Sequence, residues 1–304
     1  MSKLVVLGSV NADHVLQVPS FPRPGETLHG RSYQVIPGGK GANQAVAAAR
    51  LGADIAFIAG VGNDAFGLNI VKSFASDGID VSGVKVTRDY PTGIAMIQVS
   101  DSGENSICIS AEANATLTEQ SIEQDLPSIA SADYLLMQLE TPMCGVTKAA
   151  LHANSHNTKV ILNPAPACPL SDELLKQVDI ITPNETEAEV LTGIAVTDQT
   201  TAQLAADELH SKGITTVMIT LGAKGVWLSE NGSGQLIEGF RVEATDTTAA
   251  GDTFNGALVT GLIENKSMHD AIIFAHAAAA ISVTRFGAQT SIPTRREVDA
   301  FLQQ

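Results

Sequence analysis

Gly41-Ala42-Asn43-Gln44-Ala45-Val46-Ala47-Ala48-Ala49-Arg50-Leu51-Gly52 is followed, after two residues, by Ile55-Ala56-Phe57-Ile58-Ala59. The first run is alanine-rich and ends on a glycine suited to a left-handed stop, so it predicts a helix over 41–50. The second run is apolar throughout, as a strand buried on both faces must be. Asp64 then offers an N-cap for a helix to about Asp77, which Gly78 terminates. The helix–strand–helix rhythm recurs along the chain. Strands are predicted over 4–7, 134–137, 160–162, 180–182 and 217–220, with helices around 144–153 and 201–212. This alternation predicts an α/β fold: a three-layer α/β/α, Rossmann-like, mostly parallel sheet. In such sheets ligands sit beyond the carboxyl ends of the strands.

A second texture interrupts the first. Residues 14–18 and 28–36 flank Phe21-Pro22-Arg23-Pro24-Gly25, and residues 93–99 and 106–110 flank the polar turn Ser100-Asp101-Ser102-Gly103-Glu104-Asn105. These read as antiparallel strands of a small β-sheet lid built from two insertions. The expected organisation is a large unit of residues 1–13, 37–92 and 112–304, with the lid at 14–36 and 93–111. So small a sheet needs a partner surface for its second face. A further hairpin is expected around Asn231-Gly232, pairing 226–229 with 234–237.

The 304 residues are 44% hydrophobic and 17% charged, ample for a sizeable core. Net charge of −15 argues against a nucleic-acid footprint and against anionic membrane surfaces, and 4% aromatics with one Trp argue against base-stacking platforms. An anionic ligand would need local help from backbone N–H groups or bound cations. Three cysteines, with no CxxC pair, point away from a disulfide framework or a Cys-built zinc site and toward a reducing, cytoplasmic setting. The opening apolar run reads as a first core strand, because Asn11, Asp13 and His14 close it too early for a signal peptide. The apolar stretch 45–62 is broken by Arg50 and Asp54, so no membrane span is expected there.

Chemistry concentrates in a few segments. In Asp246-Thr247-Thr248-Ala249-Ala250-Gly251-Asp252-Thr253-Phe254-Asn255 a tight turn of small residues opens an apolar helix. Free N–H groups and the helix dipole make this an anion site without a lysine. Asp252 at the helix start could accept a proton from an attacking hydroxyl, and it also reads as a first-turn acid. Gly38-Gly39-Lys40-Gly41-Ala42-Asn43-Gln44 lets a small ligand approach the backbone, with Lys40 and Asn43 as donors, or it is a plain glycine turn. It is not a Walker A loop, since Gly41 follows the lysine. Asn11 and Asp13 follow the first strand, where sugar hydroxyls could be held or an Asx turn made. Glu140 also lies just past a strand. Asn184-Glu185-Thr186-Glu187 has capping-box spacing, and Thr220-Leu221-Gly222-Ala223-Lys224-Gly225 is a glycine-containing turn after a strand. Gly60, Gly62 and Gly67 do not form a dinucleotide fingerprint, and the seven histidines show no metal spacing.

Taken in order, Gly38 to Asn43, Asn184 to Glu187 and Asp246 to Asp252 resemble the ribokinase/PfkB family of sugar kinases across essentially the whole chain. Asn11-Ala12-Asp13, Gln138-Leu139-Glu140, Asn163-Pro164-Ala165-Pro166 and Gly287-Ala288-Gln289 support the resemblance. Ala249 departs from it, standing where the family often has Gly. The resemblance implies ATP-dependent phosphorylation of D-ribose at O5. It implies Asp252 as general base and backbone N–H groups of Ala249, Ala250, Gly251 and Asp252 as the anion hole. Asn11, Ala12, Asp13, Gly39, Lys40, Gly41, Ala42, Asn43, Glu140 and Asp252 would bind the sugar. Asn184, Thr220, Leu221, Gly222, Ala223, Lys224, Gly225, Gly251, Asp252 and His276 would bind ATP. Mg²⁺ would accompany the nucleotide with Glu187 acting through water. K⁺ would sit at Asp246, Thr248, Ser282, Arg285, Gly287 and Ser291. Two lids would pair in a homodimer. Competing readings are a kinase for deoxyribose, another pentose or a nucleoside, and a non-catalytic sugar or nucleotide sensor.

Overall fold

The computed structural model describes residues 3–303. Met1, Ser2 and Gln304, the outer ends of the expected large unit, lie outside the described residues. The elements run β1 (Leu4–Leu7), β2 (Asn11–Val18), β3 (Ser32–Gly38), α1 (Lys40–Arg50), β4 (Ile55–Gly62), α2 (Ala65–Ser76), β5 (Val84–Thr87), β6 (Gly93–Ser100) and β7 (Asn105–Ser110). There follow α3 (Leu126–Ser131), β8 (Tyr134–Met137), α4 (Met143–Ser155), β9 (Lys159–Leu162), α5 (Asp172–Leu175), β10 (Ile180–Ile181), α6 (Glu185–Thr192) and α7 (Gln199–Ser211). The chain closes with β11 (Thr216–Thr220), β12 (Val226–Glu230), β13 (Ser233–Ile237), α8 (Ala250–Ile263), α9 (Met268–Ser282) and α10 (Arg295–Phe301).

Nine strands form one sheet in the order β13-β12-β11-β10-β9-β8-β1-β4-β5. All neighbours are parallel except the β11–β12–β13 hairpins at one edge. Alternation within β1 shows how the layers form. Leu4 and Val6 pack with side chains of α1, α2, α8 and α9, whereas Val5 and Leu7 pack with those of α3, α4 and α7. The central strands therefore feed two cores, which is why they read as continuous apolar runs. Asp64 caps α2 through a bond from Gly67 N–H, and Gly52 and Gly78 adopt positive φ at the helix stops.

Four strands form the second sheet, in the order β3-β2-β6-β7. The β2–β3 and β6–β7 pairs are antiparallel as expected, but the central β2–β6 pair is parallel. Asn11 pairs with Gly93 at the start of both strands, so the two insertions run outward side by side. Residues 28–31, expected as strand, are irregular, and β3 begins only at Ser32. Gly30 packs there against the Leu16 side chain, where a Cβ would collide. β2 begins at Asn11, so Asn11 and Asp13 belong to the smaller sheet's root rather than to the loop after β1.

Candidate active site

The site forms where β1, β8, β9, β10 and β11 end and where α1 and α8 begin. Close approach of the two helices creates it. Gly256 of α8 faces Ala47 and the Gln44 carbonyl of α1, and any side chain at Gly256 would hold the helices apart. Their contact brings Asn43 and Gln44 onto Asp252, some two hundred residues away in sequence. Asn43 Nδ2 donates to Asp252 Oδ2 at 2.9 Å, and Gln44 Nε2 donates to Oδ1 at 2.9 Å. Gln44 also donates to Asn163 Oδ1 at 3.0 Å and accepts from Gln138 Nε2 at 2.6 Å. Asp252 is thus a buried carboxylate with an amide donor on each oxygen.

Around it stand the residues expected at the sugar end. Glu140 Oε2 accepts from Ser9 Oγ at 2.6 Å and from Lys40 N–H at 3.0 Å. Asn11 Oδ1 accepts from Asn114 Nδ2 at 2.9 Å. Asn43 Oδ1 is buried without a partner among the described residues, an acceptor left for a ligand hydroxyl. Burial pushes the Asp13 carboxyl up to about 7, helped by Glu140 and Asp252 and opposed by Lys40. Burial pushes the Lys40 ammonium down, but Asp252, Glu140, Glu187 and Asp13 outweigh it and lift it above its ordinary value. Gly38 leaves room for the Asp13 carboxylate, and Gly39 opens α1 at φ 93°. Ala12, Gly41 and Ala42 are buried in packing, with Gly41 set against the Gly8 backbone.

Ala249 adopts the left-handed conformation, φ 58° and ψ 17°, immediately before α8. Glycine at this position would avoid a strain of about 1 kcal/mol, and nothing in the structure explains why alanine stands here. The N–H groups of Ala249, Gly251 and Asp252 have no acceptor among the described residues, whereas that of Ala250 donates to the Thr247 carbonyl at 3.2 Å. They border a cavity of about 230 Å³ that Lys40, Asn184 and Glu187 also line. Asn184 and Glu187 form a reciprocal capping box at 2.8 and 2.9 Å. Burial pushes the Glu187 carboxyl up, against the lowering effect of the Asn184 N–H.

Through Thr220, Thr247, Ala250 and Gly251 this cavity adjoins a larger one of about 580 Å³. Gly222, Ala223, Gly225 and His276 line the larger space, together with Val226, Phe240, Phe254, Ala279 and Val283. Desolvation pushes His276 down to about 4, against the Ile237 carbonyl, and its Nε2 is buried without a partner among the described residues. Leu221 and Lys224 instead line a neighbouring cleft with Glu185 and Asp198. Asp246 Oδ1 accepts from Thr248 N–H and Oγ at 2.9 and 2.6 Å, and Oδ2 from Gly287 N–H at 2.9 Å. These bonds outweigh the effect of burial and hold the Asp246 carboxyl below its usual range. The Ser282 carbonyl accepts from Arg285 N–H at 3.1 Å, Arg285 pairs with Glu297, and Ser291 Oγ donates to the Ala288 carbonyl at 2.7 Å. Gln44, Ser9, Asn114 and the Phe240 wall were not among the site residues expected from sequence. Gln44 alone carried a signal, as a polar side chain in the otherwise small-residue run 41–49.

The chain is similar to known proteins along its whole length. The ribokinase of Haemophilus influenzae is 58% identical over 300 residues, covering 99% of this chain and 98% of that protein. The solved ribokinase of Thermotoga maritima is 40% identical with a TM-score of 0.92, each chain covered fully. The ribokinase of Arabidopsis thaliana, solved with ribose and ATP, is 34% identical with a TM-score of 0.93, covering 100% of this chain and 99% of that one. Residues 1–295 match the family described as pfkB family carbohydrate kinase, and the chain belongs to that family.

Proposed function

We propose that this chain transfers the γ-phosphoryl group of ATP to O5 of D-ribose, giving D-ribose 5-phosphate and ADP. The observation that carries the reading is a buried, doubly hydrogen-bonded Asp252 beside N–H groups at the start of α8 that have no acceptor among the described residues. The Arabidopsis relative's complex with ribose and ATP supports the choice of substrates.

In this mechanism Asp252 takes the proton of the 5-hydroxyl as O5 bonds to the γ-phosphorus and the bond to the β–γ bridging oxygen breaks. The N–H groups of Ala249, Gly251 and Asp252, aided by the α8 dipole, meet the negative charge on the group in flight. Asn43 Oδ1, Asp13, Asn11 and the second oxygen of Glu140 receive sugar hydroxyls, and Lys40 offers a cation. The apolar cavity at Phe240, Phe254 and His276 takes the base of ATP.

Among the described residues no group of three His, Cys, Asp or Glu side chains could hold a metal ion. Glu187 in the smaller cavity therefore suits Mg²⁺ that arrives on the phosphates, held through water. Bound there, it would neutralise phosphate charge. The Asp246 carboxylate ties Thr248 to Gly287, and the site expected for K⁺ at Asp246, Thr248, Ser282, Arg285, Gly287 and Ser291 would draw mostly on carbonyl oxygens. A cation there would order the backbone before α8.

Register in the smaller sheet sorts its exposed apolar side chains. Tyr33, Val35 and Met96 share the face of His14, while Ile107 and Ile109 share the face of Asp13. Ile107 and Ile109 suit a lid that closes over the sugar and excludes water, and the Tyr33 face suits a second copy of the chain. The three free cysteines suit a reducing, cytoplasmic setting, and among the described residues no helix is long and apolar enough to cross a membrane.

The test is ADP release from Mg-ATP with K⁺ present, offering D-ribose, 2-deoxy-D-ribose, D-fructose and adenosine in turn, with product identification. Ribose-dependent ADP matched by ribose 5-phosphate is expected. A clear preference for another acceptor overturns the sugar assignment. Binding of ATP and ribose without turnover overturns the transfer and leaves a sensor.

A further inference from the structure

We propose that Gln44 is a positioning residue for phosphoryl transfer: its side-chain amide locks the Asp252 carboxylate in the orientation that receives the hydroxyl proton. The proposal rests on the reading of Asp252 as proton acceptor.

Gln44 is fully buried and its amide is spent on other side chains, so it acts on the reaction through Asp252 rather than by touching a ligand. Both hydrogens of its amide are committed, one to Asp252 Oδ1 at 2.9 Å and one to Asn163 Oδ1 at 3.0 Å. Its oxygen accepts from Gln138 Nε2 at 2.6 Å. Turning the amide over would set its oxygen against two acceptors and its nitrogen against the Gln138 donor. Asn163 is fixed as well, because its Nδ2 donates to the Thr182 carbonyl at 3.2 Å, leaving only its oxygen for Gln44. Gln138 lies just past β8, Asn163 just past β9, Gln44 on α1 and Asp252 on α8. The network therefore ties two strand ends and two helices to one carboxylate oxygen. Buried networks of this kind hold a single arrangement because every broken bond strands a polar group away from water.

Asn43 differs from Gln44 in a way that separates their effects. Asn43 holds the other carboxylate oxygen but keeps Oδ1 free for a ligand, so changing it disturbs both sugar binding and turnover. Gln44 has no group left for a ligand. Its removal should lower kcat and spare the KM for ribose.

The experiment measures kcat and KM for ribose in Gln44→Met, Gln44→Glu, Gln138→Met and Asp252→Asn, with thermal unfolding and ATP binding recorded for each. Gln44→Met is expected to lower kcat about tenfold or more and leave KM within about twofold. Gln44→Glu, which sets a second carboxyl where the donor stood, is expected to lower kcat further with the same split. Gln138→Met, which only frees the Gln44 amide to turn, is expected to show the same split at smaller size, and it carries the test should Gln44→Met not fold. A kcat kept in the folded variants, or a KM for ribose that rises as far as kcat falls, overturns the proposal. Asp252→Asn separates the two claims. Turnover retained in that variant overturns the proton-acceptor reading. Turnover lost there, with kcat kept in the Gln44 and Gln138 variants, overturns the positioning role alone.

Discussion

At the end of the cleft where we place the sugar, Asp252, Asn43, Gln44, Asn163 and Gln138 hold one another through hydrogen bonds of 2.6 to 3.0 Å. At the end where we place the nucleotide, a cavity of about 580 Å³ is walled by Val226, Phe240, Phe254, Ala279 and Val283, with His276 as a buried polar group. The two ends select in different ways. A directional polar site rejects a ligand that leaves its groups unpaired, whereas an apolar cavity rewards contact area and tolerates variation. Substitutions at the sugar end should therefore cost more, and should be more sensitive to pH, than those at the nucleotide end.

The largest difference in KM is expected at Asp13. Asp13→Asn should raise the KM for ribose about 10- to 100-fold while leaving the KM for ATP near its starting value. Asp13 also carries a pH signature. Burial, then Glu140 and Asp252, raise its carboxyl from 3.8 to about 7 in the folded protein. The folded chain thus keeps a proton that the unfolded chain has already lost. This contribution to stability is complete below about pH 4 and disappears as pH rises through 7. Chemical unfolding of the free protein at pH 5 and pH 8 should show that slope, and Asp13→Asn should remove its share. An unchanged slope in the variant would break the contrast between the two ends.

A smaller effect is expected at His276. His276→Ala should raise the KM for ATP a few-fold, on the order of one lost hydrogen bond, with little change in the KM for ribose. Desolvation, only partly offset by the Ile237 carbonyl, lowers this imidazole from 6.5 to about 4, so it is neutral during turnover. Its linkage has the opposite sign to that of Asp13. Its contribution is full above about pH 6.5 and is lost as pH falls through 4. A flat KM for ATP between pH 6.5 and 8 sharpens the comparison, and a break in that range at His276 contradicts it.

The alternation of buried strands and capped helices was legible because each element satisfies a local rule: continuous apolar runs, Asp64 as a cap, Gly52 and Gly78 as stops. The Asn184–Glu187 box was legible for the same reason. What the sequence could not show depends on encounters across the fold. Gln44 meets Asp252 only because Gly256 lets α1 and α8 touch. The central β2–β6 pair is parallel because two separate insertions leave the large sheet side by side, and neither insertion encodes that direction alone. Lys224 turns to a cleft shared with Glu185 and Asp198, although its neighbours Gly222 and Gly225 border the large cavity, because adjacent residues in a turn face different ways.

The most direct measurement compares Asp252→Asn with the unchanged chain in a single turnover, with ATP and ribose binding measured separately by calorimetry. The account predicts phosphoryl transfer slower by about 10³-fold, the scale of losing a positioned general base, with both ligands still bound. Transfer at near the original rate, with binding intact, would contradict it.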